Sequence, residues 1–248
     1  VPHRSLILAI ETSNPTAEPG VSASVALARA DPAGSIEPLA IVHLGPDEST
    51  GLLPSIDRCF DRAGLTPDAL RAPGARIAIS IGPGGYTSVR IAVTCAKLLA
   101  EATGALCVPV PTAHVVAWSI ADDVIRGDAA APRPFAVALA SKRETAWVTL
   151  FHVDRSERRT LGLVDDGVID TLVSEGVVKL IVDRYAPPLM LERARAASIR
   201  IGPPSFDPIA CARLALTHAP VDPLELAPLY PREPEAVTKW RALRSWQG

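Results

Sequence analysis

The residues best placed to do chemistry in this 248-residue chain are the run Gly82-Pro83-Gly84-Gly85-Tyr86-Thr87. A glycine-rich turn between a strand and a helix can aim several backbone N–H groups at one point, and such a point holds anions. Two phosphate signatures can be tested. Walker A requires Gly-Lys-Ser/Thr, which occurs nowhere in the chain, and the dinucleotide fingerprint requires a third glycine where Thr87 stands. Two readings remain: a loose nucleotide or anion cradle made by Gly82, Gly84, Gly85 and Thr87, or glycines that serve only a tight turn and a close helix approach.

Other reactive side chains do not converge. The histidines, His3, His43, His114, His152 and His218, are scattered, with no H-x-x-x-H or H-E-x-x-H pair to place two imidazoles on one helix face. No G-x-S-x-G elbow occurs. Cys59, Cys95, Cys107 and Cys211 form neither a C-x-x-C pair nor a cluster, so buried free thiols in a reducing compartment are expected. Asp122-Asp123 and Asp165-Asp166 read as exposed turns. No catalytic residue and no metal site is predicted.

The elements that would carry the loop follow from hydrophobic periodicity. Leu6–Ile10 reads as a buried strand, 21–29 alternates like a strand, and 38–44 reads as a third. Ser49 opens a helix with the stripe Leu52, Leu53, Ile56, Cys59, Phe60 and Ala63, stopped by Gly64. Strand 76–81 leads through the glycine loop to a long helix, 88–103, ended by Gly104. Strand 106–109 and a helix capped by Thr112, reaching about Ile125, follow.

The order then recurs. Strands are expected at 135–140, 145–153, 160–164, 177–183 and 199–201, with helices at 170–175, 188–197 and 208–218. A three-strand meander followed by alternating helices and strands describes a ribonuclease H-like unit. Two such units describe an α/β protein of the actin-like ATPase (ASKHA) architecture. The expected division is 1–111 for the first lobe, 112–231 for the second and 232–248 for a tail bearing Trp240 and Trp246, with 127–134 as the hinge. In that architecture an acid followed by glycine and threonine closes the first strand and positions a metal–nucleotide. Glu11-Thr12-Ser13 lacks the glycine, so Glu11 reads as a solvated strand-end carboxylate.

The long helix carries more apolar surface than one docking face needs. Val89, Ala92, Val93, Ala96, Leu99 and Ala100 form one stripe, and Ile91, Cys95, Leu98 and Ala102 form a second. Leaving Ile91 and Leu98 in water would forfeit about 1.5–3 kcal/mol each. The second stripe is therefore covered either by the helix from Ser49 or by a partner. The surface expected for this is Leu52, Ile56, Ile91, Cys95 and Leu98.

Composition narrows the setting. Forty-eight per cent hydrophobic residues support a substantial core, and only 4% aromatics mean that Val, Ile, Leu and Ala build it. Twenty-five basic against 27 acidic residues give a formal charge of -2, without the basic surplus of a chain that grips nucleic acid alone. The apolar run 6–10 is too short for a signal-peptide core, and no 18-residue apolar segment occurs. A cytoplasmic, non-membrane protein is expected.

Four stretches carry a family resemblance. Ile7-Leu8-Ala9-Ile10-Glu11-Thr12-Ser13, Leu52-Leu53-Pro54-Ser55-Ile56-Asp57, Gly82-Pro83-Gly84-Gly85-Tyr86-Thr87-Ser88-Val89-Arg90-Ile91, and Pro228-Leu229-Tyr230-Pro231-Arg232 with Ala236 are similar to motifs of the bacterial TsaB (YeaZ) family. That family serves in making threonylcarbamoyladenosine beside the tRNA anticodon. The resemblance implies a non-catalytic scaffold that binds the catalytic TsaD subunit, which carries metal-binding histidines, through paired N-lobe helices. It also implies a TsaE-like ATPase in the assembly. A further reading is that the same helix surface pairs two copies of the chain when it is alone; tRNA is expected to meet it only through the complex, and no cofactor is expected beyond a weak nucleotide or anion at the glycine loop. The chain departs from the family at Glu48-Ser49-Thr50-Gly51, at Ser88, around 15–20, and at Ala140-Ser141-Lys142-Arg143-Glu144-Thr145-Ala146-Trp147. The alternative is an enzyme, either an actin-fold small-molecule kinase or a glycoprotease-type (M22-like) peptidase.

Overall fold

The computed structural model describes residues 4–14, 23–44, 51–121, 133–141, 144–232 and 240. The first five strands are β1 (Ser5–Glu11), β2 (Ser24–Ala30), β3 (Ile36–His43), β4 (Arg76–Ser80) and β5 (Leu106–Val110). They form one sheet in the order β3-β2-β1-β4-β5, with β1-β2-β3 an antiparallel meander and β4 and β5 parallel to β1. The next five are β6 (Phe135–Ala140), β7 (Ala146–Phe151), β8 (Glu157–Val164), β9 (Lys179–Val182) and β10 (Arg200–Gly202). Their order, β8-β7-β6-β9-β10, repeats the first sheet's pattern of pairing strand for strand. The duplication expected from the sequence is present in the backbone.

Both faces of each sheet are covered, and this explains the unbroken apolar runs of β1 and β6. On the first sheet Leu6, Leu8 and Ile10 meet α1 (Leu52–Arg62) and α2 (Tyr86–Thr103). Behind the second sheet α4 (Val168–Ser174) and α5 (Pro188–Ala196) pack on Ala136, Ala138, Val148 and Leu150. The other two faces are closed crosswise. Helix α6 (Pro208–Leu214), which follows the last strand of the second sheet, packs on Ile7, Ala9, Ala26, Ala28 and Ala78 of the first. Helix α3 (Thr112–Ser119), which follows the last strand of the first sheet, packs through Ala113, Val116 and Ala117 on Phe135, Val137 and Phe151 of the second. The two crossing helices also touch each other.

Local chemistry sets the ends. Helix α2 stops at Gly104, a left-handed residue at φ +77 whose N–H closes on Ala100. It begins at Tyr86, two residues earlier than the periodicity indicates. Helix α3 is capped by Pro111 rather than Thr112, because the Thr112 hydroxyl pairs instead with Ser80 Oγ at 2.8 Å. That helix stops at Ser119, short of Ile125, with the residues beyond 121 outside those described. Helix α1 opens at Leu52, with Gly51 in an extended conformation as its cap, and not at Ser49 as its pattern suggests. Most of the expected hinge and most of the tail lie outside the described residues.

The segment after α6 returns across the first sheet. Val221 N–H donates to Cys107 O (2.8 Å), Lys97 Nζ to Leu224 O (3.1 Å) and Leu229 N–H to Ile81 O (2.7 Å), while Leu226 enters the core. Arg232 Nη2 then reaches Thr145 Oγ1 beside the second sheet. The outer strands β3 and β8 face solvent on one rim of each sheet, and both pairings have register breaks.

Because α3 and α6 each seal the other sheet, the two halves should unfold together. Urea unfolding followed by tryptophan emission, with Trp147 on β7, and by thiol labelling of buried Cys59 and Cys107 should give coincident curves. Two separated transitions would contradict this packing.

Candidate functional site

The glycine loop is wedged between the end of β1 and the returning C-terminal segment. Gly82 has φ +104, and a Cβ there would press on Leu229 O at 2.9 Å. A Cβ on Gly84 would overlap the Ser13 carbonyl oxygen. Of the two glycine roles in the tight-turn reading, the left-handed conformation falls to Gly82 and the close approach to Gly84. Gly85 N–H, a donor that an anion cradle would use, already donates to Ser13 O at 2.6 Å. Asn14 Nδ2 ties down Pro83 O at 3.2 Å. Gly84, Gly85 and Thr87 face solvent, and Gly82 is buried.

Glu11 corrects an expectation. It is not a solvated strand end, since only 1% of it is exposed. Its Oε1 accepts from Ser13 N–H (2.9 Å) and Ser13 Oγ (2.5 Å), and its Oε2 has no partner among the described residues. Burial pushes this carboxyl above the usual glutamate range, against the lowering pull of the Ser13 hydrogen bonds and of the neighbouring Ser80 hydroxyl, which itself pairs with Thr112. In this arrangement its oxygens are out of reach of a metal–nucleotide in solvent.

The feature that opens to solvent is a groove of about 580 Å³ between the first turn of α1 and the outer face of α2. Leu52, Leu53 and Pro54 form one wall, and Thr87, Ile91, Cys95 and Leu98 form the other, with Arg90 at the rim. Leu53, Ile91 and Leu98 are 56%, 54% and 66% exposed. Of the other residues expected on this surface, Ile56 is enclosed beneath α1, while Leu52 and Cys95 are buried at the base of their walls, and burial pushes the Cys95 thiol up to about 11. The geometry follows from α2's two stripes. Val89, Ala92, Val93, Ala96 and Ala100 dock on the sheet, Cys95 sits at the margin, and Ile91 and Leu98 point away. Leu53 is the groove residue that periodicity missed, because it belongs to the same apolar run as Leu52. Beside Thr87 of the groove, the Tyr86 and Tyr230 rings meet tilted by 32° with centroids 5.1 Å apart, and Arg90 lies over the Tyr86 ring.

Comparison with known proteins now has a geometry to rest on. The model of the family described as "TsaD: tRNA N6-adenosine threonylcarbamoyltransferase" matches residues 47–170, half of the chain. The chain belongs to this family. YeaZ from Pseudomonas aeruginosa is similar in fold, with TM-score 0.62 and 19% identity over 91% of this chain and 99% of that one. A second solved structure, of an uncharacterized protein with similarity to peptidase YeaZ from Pseudomonas aeruginosa, gives TM-score 0.56 and 19% identity over 92% and 100%. No curated protein matches. The architecture is thus the two-lobed actin-like one, and the family is one of tRNA modification.

Among the described residues no cluster of three or more His, Cys, Asp or Glu could hold a metal, and no helix is long and apolar enough to cross a membrane. One polar cluster escaped the sequence. His114 and His218, 104 positions apart, meet through Nδ1 and Nε2 at 3.1 Å.

Two outcomes follow. Gly84→Ala should cost about 2–4 kcal/mol, read as a lower melting temperature, because backbone must move to admit the methyl group. Glu11 favours its protonated form in the fold, so its contribution is fully present below the ordinary value of 4.5 and is lost as pH rises through its higher folded value. Glu11→Gln should flatten that decline and melt at least as high as the parent at neutral pH.

Proposed function

We propose that the chain is a TsaB-type, non-catalytic subunit that binds a TsaD-type catalytic protein through the groove between α1 and α2. The observation that carries this is the exposure of Leu53, Ile91 and Leu98 together on one apolar groove. Soluble chains rarely leave several large apolar side chains adjacent in water unless another surface covers them. Burying these three in a complex would contribute about 1.5–3 kcal/mol each. Family membership supplies the chemistry served, threonylcarbamoyl transfer to tRNA adenosine, and the near-neutral charge fits a subunit that leaves the RNA to its partner. A TsaE-like ATPase joins the assembly in the cytoplasm. When the catalytic partner is absent, the same face pairs two copies of this chain.

The reading of the chain as a kinase requires Glu11 and the glycine loop to hold a metal–nucleotide. The burial of Glu11 and the engagement of Gly85 N–H by Ser13 stand against it.

Co-expression with TsaD from the same organism should give a stoichiometric complex on size exclusion. Ile91→Glu or Leu98→Glu should weaken it by at least about 100-fold, since each would bury an unpaired carboxylate at the contact. Neither change should lower the melting temperature of the lone chain, where both positions are solvated. Two separate elution peaks for the parental pair would refute the proposal. Calorimetry of the isolated chain with Mg-ATP should show no binding.

A further inference from the structure

The outer face of α2 carries a pattern that matches itself when reversed. Thr87, Ile91, Thr94 and Leu98 are all exposed and stand four, three and four residues apart, the spacing with which one helix meets another along its length. Arg90 and Glu101 lie along one edge of this seam, both exposed and about 16 Å apart along the axis. Arg90 is the charged residue among those lining the groove, and its Nη1 leans on Tyr86 Oη at 3.1 Å.

The direction of a helix pair decides what these charges meet. Two antiparallel copies of α2, with Thr94 of each at a two-fold axis, set Ile91 of one over Leu98 of the other. Arg90 then falls within about 3 Å, measured along the axis, of Glu101 in the other copy, and the symmetry repeats that pair. A parallel pair would instead set Arg90 against Arg90 and Glu101 against Glu101.

We propose that α2 docks on α2 of a second copy of this chain, antiparallel across Thr94, with Arg90 and Glu101 fixing direction and register. This rests on the reading of the α1–α2 groove as an association face, and it names how that face is filled when the catalytic partner is absent. The short Thr94 side chain suits the axis, because helix separation is set by the residues at the point of contact. Leu53 of α1 widens the apolar contact beyond what one helix provides. The matching helices of the second half offer no such seam. There Arg193 of α5 is tied to Asp166 at 2.9 Å and to Asp170 of α4 at 2.8 Å, and the outward Glu192 and Arg195 are charged. A two-fold contact uses the same face on both copies, so assembly closes at two. Each copy must then release its twin before the groove admits another protein.

The test is sedimentation equilibrium of the full chain without partner proteins. The parent should dimerise measurably at about 100 μM. Arg90→Glu and Glu101→Arg each turn both attractions into repulsions and should weaken the dimer by about tenfold. The exchanged variant R90E/E101R restores opposite charges in the same register and should return to within about threefold of the parent. R90E mixed with E101R should also associate more tightly than either does alone. If a reversal fails to fold, the neutral variants R90Q and E101Q take its place and should weaken the dimer by about threefold. The proposal is overturned by a parent that stays monomeric, by single changes that leave the dimer as tight as before, or by an exchanged variant no tighter than the single reversals. A dimer that follows the charges while no TsaD complex forms would sink only the function proposed above. A TsaD complex beside a dimer indifferent to these charges would sink only this inference.

Discussion

The structure depends on a crossed arrangement of two helices. Each sheet provides its own cover on one face and borrows the other from the opposite half of the chain. The contact is close because the residues are small: Ala210, Cys211, Ala212 and Ala215 around α6 meet Ala9, Ala26, Ala28 and Ala78 on the sheet. A larger side chain on either surface would force the helix away from the strands. The exchange joins two backbone repeats into one folding unit and gives the corner where the His114–His218 contact forms a fixed geometry.

The same constraint shapes the outer surface of the first half. With α6 behind the sheet, α1 and α2 share the front, and α2 must start where the β1 end and the returning C-terminal segment leave room. Ser13 and Leu229 clamp the glycine loop from two sides, which sets the direction in which α2 leaves the sheet. Along that direction only one of its apolar stripes meets the sheet. The groove with Ile91 and Leu98 in its wall is therefore a consequence of how the loop is packed, and the glycines serve that packing.

Local pattern made much of this legible. The Leu6–Ile10 run, the Gly104 stop and the double stripe of α2 are written in residue spacing, and the repeated order of elements followed from them. What stayed hidden depends on distant partners. Nothing near Pro208–Leu214 tells that this helix covers the first sheet. Glu11 reads as solvated because its strand ends there, while Cys211, buried and close enough to feel its charge, lies some 200 residues later. His114 and His218 look scattered for the same reason. Leu53 reads as part of the inward stripe of α1 beside Leu52, yet in the fold Leu52 is buried and Leu53 is exposed along the groove.

The rims of the two sheets carry a last consequence. In β3 the proline at position 38 offers no N–H to a newcomer, and the β2–β3 ladder breaks register beside it. On β8, Glu157, Arg158 and Arg159 present charge, and Gly162 at φ +79 bends the backbone out of line. At the far side of the first sheet Val221 already occupies β5 through Cys107. These rims discourage fibre-like stacking of strand on strand, so the exposed backbone of the sheets is guarded separately from the apolar helical face.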